Sequence, residues 1–324
     1  MSIPALASMA ARFCLPAMSR GTAMYIWPKS PILRDCLRLM AKRRAMDQEE
    51  FSRVSRQVWD TVSRGWEDQR EYVWQWYRPV AQWLVEQLAP APGQTLLELA
   101  AGVGDTGFIV ARLVGDSGRL ISTDFAPSMV EAARRRGREL GLDNVVYGVL
   151  DAEKMDLPDN YVDGVLCRFG YMLMGDPARA LAETRRLLKD GGRLSFAVFD
   201  EAEANPWAAV PAKVLVQQGI MPPPPEGSPG IFALGDRTQV EGLVRQAGFS
   251  KCRIESVAVE FRFADMDDYW KFLTDLAGAL AHFIAQLGAV QRARLREVME
   301  AALEPFRTEE GYVLSGMSLC VVAE

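Results

Sequence analysis

The sequence predicts an α/β domain in which a parallel sheet carries helices on both faces. Three observations predict it. Short apolar runs alternate with segments of helical period between Thr95 and Phe199. Glycines stand at the junctions between them. Of the 324 residues 49% are hydrophobic and 24% charged, enough apolar material for a sizeable core with an ordinary soluble surface.

The elements follow in order. From about Gln48 to Leu88 apolar residues recur at three- and four-residue steps, a helical pattern rich in Trp and Tyr that Pro90, Pro92 and Gly93 end. Thr95–Leu99 reads as a strand, Thr106–Val114 as a helix and Arg119–Thr123 as a strand. Ser128–Leu140 reads as a helix stopped by Gly141, and Val145–Val149 and Val162–Arg168 as strands. Pro177–Leu188 reads as a helix closed by Gly191 and Gly192, before a strand over Arg193–Phe199. Asn205–Ala233, with Pro206, Pro211 and the run Pro222–Pro225, is too proline-rich for continuous secondary structure and reads as an irregular insertion. Asp236–Ala247 is a helix, Cys252–Phe263 a strand, Asp267–Leu287 and Val290–Phe306 two helices, and Tyr312–Val322 the last strand.

Bulk properties exclude several classes. A net charge of −5 gives no global attraction to nucleic acid or an anionic membrane, so no nucleic-acid partner is expected. No run approaches the ~18 apolar residues of a membrane span. The five cysteines are scattered and lack a C-x-x-C, which argues against a disulfide framework or a zinc site and for a reducing, cytoplasmic setting. Residues 1–45 carry eight Lys or Arg against the single acid Asp35. They read as a dispensable leader or as a start assigned too early, since Met46 precedes an acidic helix opening. The expected division is therefore a leader over 1–45, a helical lid over 46–90 and a main domain over 91–324 with cap insertions at 205–233 and 267–306.

The strongest signal is Leu96-Leu97-Glu98-Leu99-Ala100-Ala101-Gly102-Val103-Gly104-Asp105-Thr106-Gly107, a strand running through a glycine turn into a helix. Gly102 and Gly104 would let the backbone approach a ligand where a Cβ would collide. The N–H groups at the helix start would face that ligand. Gly102, Gly104 and Gly107 have the dinucleotide spacing, and Asp124 ends the second strand where a carboxylate can hold a ribose diol. These features alone leave a nicotinamide dinucleotide and S-adenosylmethionine (SAM) both open. Glu98 favours SAM, because an acid there complements an ammonium group, directly or through water, and repels a pyrophosphate. Asp151-Ala152-Glu153 after the third strand could read an adenine, its carboxylate taking the exocyclic amine and the next N–H donating to the ring. Leu188-Lys189-Asp190-Gly191-Gly192 forms a helix-to-strand turn.

With these motifs in order, Glu98 to Phe199 resembles the class I SAM-dependent methyltransferases of the ubiquinone/menaquinone-biosynthesis type. Ala100 stands where that family usually has the first glycine, and Asp190 where it usually has proline. Asp124-Phe125-Ala126-Pro127-Ser128-Met129 resembles the second motif, with Phe125 and Met129 beside the adenosine. The resemblance implies SAM as cofactor, a Rossmann-like, doubly wound seven-stranded sheet in the order 3-2-1-4-5-7-6, and cofactor contacts from Glu98, Ala100, Gly102, Gly104, Asp124, Phe125, Met129, Asp151, Ala152 and Arg168. Cys167-Arg168-Phe169-Gly170-Tyr171-Met172 and Asn205-Pro206-Trp207 are similar to a bacterial subgroup.

The acceptor implied is a small, largely apolar or aromatic molecule, methylated on oxygen or carbon under a cap that includes Trp66, Trp76, Trp207, Met221, Phe232, Trp270 and Phe272. A homodimer is allowed for. No metal-ligand spacing appears. Asp200, Glu201, Tyr171 and His282 are unranked candidates for a base, and His282 falls on the polar side of its helix, beside Lys271, Asp275 and Gln286. An oxidoreductase and a SAM-binding scaffold without turnover remain the competing classes.

Overall fold

A computed structural model describes residues 48–225 and 227–324. The leader expected over 1–45 lies outside the described residues. Helices α1 (Gln48–Asp68) and α2 (Arg70–Leu88) open the chain. The repeating unit follows as β1 (Thr95–Leu99), α3 (Asp105–Val114), β2 (Arg119–Asp124), α4 (Pro127–Glu139), β3 (Val145–Val149), β4 (Val162–Arg168), α5 (Pro177–Leu187) and β5 (Leu188–Phe199). The remainder is α6 (Pro206–Gln217), α7 (Arg237–Gln246), β6 (Cys252–Phe263), α8 (Met266–Asp275), α9 (Ala279–Ala285), α10 (Ala289–Leu303), β7 (Arg307–Thr308) and β8 (Gly311–Ala323).

The sheet order is β3-β2-β1-β4-β5-β8-β6, with the two-residue β7 paired to β8. Setting β7 aside, this is the order the resemblance implies. Strands β1 to β5 pair in parallel, and β8 runs antiparallel between β5 and β6. Helix α2 packs on β4, β5, β6 and β8 and touches α3, while α5 and α7 contact one another. The carboxyl ends of β1, β2 and β4 thereby meet along one edge, where a doubly wound sheet holds its ligand. Among the described residues no helix is long and apolar enough to cross a membrane.

Two expectations are corrected. The stretch Asn205–Ala233 is not irregular throughout, because α6 occupies Pro206–Gln217 with Pro211 inside it. Pro206 sits in the first turn, where a missing N–H costs nothing. Pro211 leaves the Trp207 carbonyl without its helical donor, and the buried Tyr269 hydroxyl donates to that oxygen at 3.3 Å. The second correction is at Asp267–Leu287, which is two helices rather than one. The chain breaks between α8 and α9 at Gly278, with φ at 49°. The Trp66 indole N–H donates to the Leu276 carbonyl at this break, and the Asp275 carbonyl crosses so close to Gly65 that a Cβ there would overlap it.

The cap aromatics serve the core. Trp76, Trp207 and Phe272 are all buried. Trp207 stacks on Phe261 at 4.3 Å between centroids, and Trp76 packs against Phe261, Phe263 and Phe272. A Trp in an amphipathic helix satisfies a core and a pocket equally well by sequence; here the core takes Trp207 and Phe272, and Trp76 both packs in it and lines a surface cavity of about 890 Å³.

Asn205 fastens the cap to the sheet. It is fully buried, and its amide N–H groups donate to the carbonyls of Asp200, Glu201 and Met317 at 3.0–3.1 Å. Its oxygen accepts from the Trp207 indole at 3.1 Å and from the Met317 N–H at 3.0 Å. Asn205→Ala strands these groups in the interior and is expected to cost roughly 2–4 kcal/mol in urea unfolding. A loss under ~0.5 kcal/mol, the level of an ordinary surface change, would show that the network carries no weight.

Candidate functional site

The turn between β1 and α3 is built on left-handed backbone. Ala100, Gly102 and Gly104 have φ of 50°, 56° and 90°. The glycines answer to different constraints. A Cβ at Gly102 would meet nothing within 4 Å, so its face opens on free space. A Cβ at Gly104 would run into the Phe108 ring, and one at Gly107 into the Glu98 carboxylate. Protein atoms therefore enforce the second and third glycines. Ala100 carries the ~1–2 kcal/mol that a side chain costs in the left-handed region. Its methyl has room because residue 170 is glycine, where a Cβ would lie 2.7 Å from that of Ala100.

Glu98 is 2% exposed. One carboxylate oxygen accepts from the Gly107 N–H at 2.8 Å and the other from the Ser122 hydroxyl at 3.2 Å. Its polar capacity is thus engaged by the first turn of α3 and by β2. Burial pushes its pKa up to about 8, against the opposing pull of the Arg168 guanidinium and its hydrogen bonds. Asp124 closes the opposite side of the turn, accepting from the Gly102 N–H and the Ala126 N–H at 2.9 Å each. Burial raises its pKa and those hydrogen bonds lower it. Asp105, in the first turn of α3, is also raised by burial.

The other named residues fall around this turn in different ways. Phe125 lies half-buried beneath the Arg56 guanidinium, 5.2 Å from its ring centre. Met129 is buried in a cluster with Val62, Val103, Ala126, Ala132 and Ala281, so it joins α1 and α9 to the glycine turn. Asp151 accepts from the Glu153 N–H at 2.9 Å, which fixes the turn containing the buried Ala152. Arg168 donates from Nε to the Thr106 hydroxyl at 3.0 Å and lies over the rings of Tyr77 and Phe169. Burial lowers its pKa while Tyr77, Asp105 and Glu98 oppose that shift.

The candidate bases separate clearly. The Tyr171 hydroxyl is fully buried and shares a 2.6 Å hydrogen bond with Thr184, turned into the core. His282 lies on α9, where its Nε2 accepts from the Gln286 amide at 2.9 Å and burial lowers its pKa. It lines a cavity of about 320 Å³ with Gly65, Asp275 and Gly278. It keeps the company expected on the polar side of its helix, Gln286 through this hydrogen bond and Asp275 across the cavity, which the break at Gly278 sets against α1. Asp200 and Glu201 follow β5, and the Asp200 carboxylate caps the Glu201 N–H at 2.8 Å.

Sequence reasoning missed Asp60 and Thr106. Helix α4 has Ala126 at its N-cap, which offers no side-chain acceptor. Asp60, from α1, supplies one instead, accepting from the Ser128 N–H at 3.1 Å and from its hydroxyl. The missing cap residue at Ala126 was the available signal. Its supplier came from a helix far away in sequence.

Glu98, Asp105 and Asp124 bring three carboxyl groups to the turn, and the space beside Gly102 is open. That surrounding suits the cationic ammonium and sulfonium of SAM and disfavours a pyrophosphate, so the residues fit the expected cofactor.

The Glu98 shift predicts a pH dependence of stability. Its folded pKa lies above the ordinary value of 4.5, so the unfolded chain ionises first as pH rises. Stability supplied at low pH is then lost between about pH 4.5 and 8, and Asp105 and Asp124 add in the same direction. Glu98→Gln keeps both hydrogen bonds, accepting from Gly107 and donating to Ser122. Melting curves of the ligand-free protein are expected to fall less steeply with pH in Glu98→Gln than in wild type. Equal slopes would remove Glu98 as the cause.

Comparison with known proteins agrees with this geometry. A model of a methyltransferase domain matches residues 90–220. A ubiquinone/menaquinone biosynthesis C-methyltransferase UbiE of Acidiphilium cryptum is 31% identical over 180 residues, covering 52% of this chain and 70% of that protein. The UbiE of Bordetella avium is 41% identical over 117 residues, 36% of this chain and 45% of that one. The aklanonic acid methyltransferase DauC of a Streptomyces species is 31% identical over 122 residues, 38% of this chain and 56% of that one. The match spans about half the length of the last two relatives. The YcgJ protein of Bacillus subtilis shares the fold with a TM-score of 0.52 at 14% identity, over 75% of this chain and 96% of that one. The open glycine turn, its acidic surround and the matched sequence lead to one conclusion: this chain belongs to the class I SAM-dependent methyltransferases, of the ubiquinone/menaquinone-biosynthesis type.

Proposed function

We propose that this methyltransferase acts on a small, largely apolar acceptor built on a phenol or enol, methylating its oxygen or a carbon beside it. The observation that carries the reading is the aromatic cluster at the carboxyl ends of β4 and β5. Phe169, directly after β4, and Phe199, the last residue of β5, stack at 4.1 Å, with Tyr77 packed on both. Surroundings this apolar suit a planar apolar ring better than a charged acceptor. The UbiE relatives, named C-methyltransferases of ubiquinone and menaquinone biosynthesis, support methylation at carbon, whereas DauC is named for an acid.

In this reading Asp124 holds the ribose hydroxyls, Asp151 and the Ala152 N–H take the adenine, and Phe125 flanks it. Met129 supports that contact from below. The backbone of Ala100, Gly102 and Gly104 shapes the approach. Glu98 and Arg168 set the potential at the methionine end, Glu98 through the turn it anchors. SAM supplies a methyl group already activated on a sulfonium, so the protein's task is placement and exclusion of water. Helix α1 contributes by covering the turn, with Val62 packed in the cluster that holds Val103. The division into a helical lid over 46–90 and a methyltransferase domain over 91–324 belongs to this proposal, as does a cytoplasmic setting.

Two measurements test it. Asp124→Ala is expected to weaken SAM binding by roughly 2–4 kcal/mol in calorimetry, through loss of charge-assisted hydrogen bonds. Unchanged affinity would remove Asp124 from the ribose site. Labelled SAM offered with phenols, hydroquinones, amines and anionic acids is expected to mark the first two groups. Label confined to amines or acids would overturn the acceptor class.

A further inference from the structure

We propose that the open edge of β6 pairs antiparallel with the β6 edge of a second copy of this chain, about a two-fold axis through Ala258. β6 is the last strand of the sheet, and its pairing to β8 runs unbroken from Cys252 to Phe263. Lys251 exchanges both backbone hydrogen bonds with Glu324, so odd-numbered residues face β8 and even-numbered ones turn their backbone groups outward. Two outward carbonyls are capped by this chain's own side chains. The Ile254 carbonyl accepts from the Arg237 guanidinium of α7 at 2.8 Å. The Tyr72 hydroxyl of α2 shares its hydrogen between the Arg262 carbonyl at 2.7 Å and the Asp268 carboxylate at 2.5 Å. Between these caps lie Ser256, Ala258 and Glu260, all exposed. Their outward N–H and C=O groups have no partner among the described residues.

A long edge strand is normally guarded against pairing by a bulge, a proline or a charge. Ser256-Val257-Ala258-Val259 carries none of these, and its valines favour a sheet. The space beside it is open as well. The cavity that Trp76 lines runs along this stretch, walled by Gln75 and Pro79 of α2 and by Ala258 and Glu260 of β6. The caps decide what fills it. Arg237 and Tyr72 occupy the outward side of the strand at either end, so a second strand can pair only over 256–260. Ile254 and Arg262 stand equally far from Ala258, which makes that open stretch symmetric about its centre. A two-fold axis there uses all of it on both copies: Ala258 faces Ala258, Ser256 faces Glu260, and the residues of each facing pair exchange their N–H···O=C bonds. Any slip of register brings a cap against an open residue. The side chains agree with this register. The Ser256 hydroxyl accepts from Arg237 at 3.1 Å, which leaves its hydrogen for the Glu260 carboxylate opposite.

Residue 258 meets its own counterpart in this register, so Ala258→Lys and Ala258→Glu each set like charges face to face. Sedimentation velocity of the full chain is expected to show wild type exchanging between monomer and dimer in the micromolar range. Each variant alone is expected to weaken the dimer by roughly tenfold or more, and an equimolar mixture of the two is expected to recover it. The Ala258 side chain is exposed, so both variants are expected to melt and to bind S-adenosylhomocysteine as wild type does. Recovery in the mixture also excludes damage to the fold, because two damaged chains do not repair one another. A wild type that stays monomeric throughout that range overturns the proposal. A dimer that both variants leave intact overturns it too, since the chains then meet elsewhere. A mixture that stays dissociated, with each variant melting as wild type does, shows that the two Ala258 residues do not face one another and rejects the two-fold pairing.

Discussion

A carboxyl group taken out of water at the end of β1 constrains everything around the glycine turn. Glu98 could not sit there at 2% exposure without donors, and the nearest are the Gly107 N–H and the Ser122 hydroxyl. To accept from Gly107, it must lie where a Cβ on residue 107 would be. The third glycine of the G-x-G-x-x-G pattern is therefore set by the protein's own acid. Once α3 is drawn onto β1 in this way, the chain between them has only the residues 100–104 to turn in, and left-handed backbone at three of them is the result. The Thr123 hydroxyl donating to the Glu98 carbonyl, and the Ala101 N–H donating to the Thr123 carbonyl, fix the same turn to β2.

Helix α1 is tied to this frame through the start of α4. Because Ala126 cannot cap that helix, Asp60 does so from α1, and Arg135 forms a two-pronged ion pair with Glu67 along the same pair of helices. The ion pair is largely exposed and contributes little stability by itself. The cap is worth more, since it satisfies a donor that is otherwise left over. Helix α1 is thereby docked on the segment that follows Asp124 and Phe125.

The central alternation of strands and helices was legible because its signals are local. Apolar runs and left-handed glycines report on their own few residues, and the family resemblance supplied the strand order. The cap was less legible because its determinants are remote. Pro211 reads as a breaker until the Tyr269 hydroxyl is found on the orphaned Trp207 carbonyl. The helix predicted across Gly278 is broken where Gly65 and Trp66 of α1 meet it, and nothing in its apolar stripe reports that crossing. Trp207 and Phe272 could have lined a cavity on composition, and only packing assigns them to the core, while Trp76 packs on Phe272 and also lines a surface cavity with Tyr72 and Pro79. At the site, position was easier to read than role. Glu98 is at the turn as the motif indicates, but its oxygens are given to Gly107 and Ser122.

The charges around the turn are set against one another. The Glu98, Asp105 and Asp124 carboxyl groups gather on the cofactor side, and burial raises the pKa of each. A bound cation would oppose that shift and recover part of the desolvation cost, so the acids are tuned by burial to gain from a positively charged ligand. Arg168 stands between this acidic side and the aromatic wall, hydrogen-bonded to Thr106 on one side and lying over Tyr77 and Phe169 on the other. Its charge thus lowers the pKa of Glu98 and of Asp105 against the burial that raises them, and Thr106 holds it where it does both. The guanidinium is the element that offsets the desolvation of the two acids nearest the start of α3.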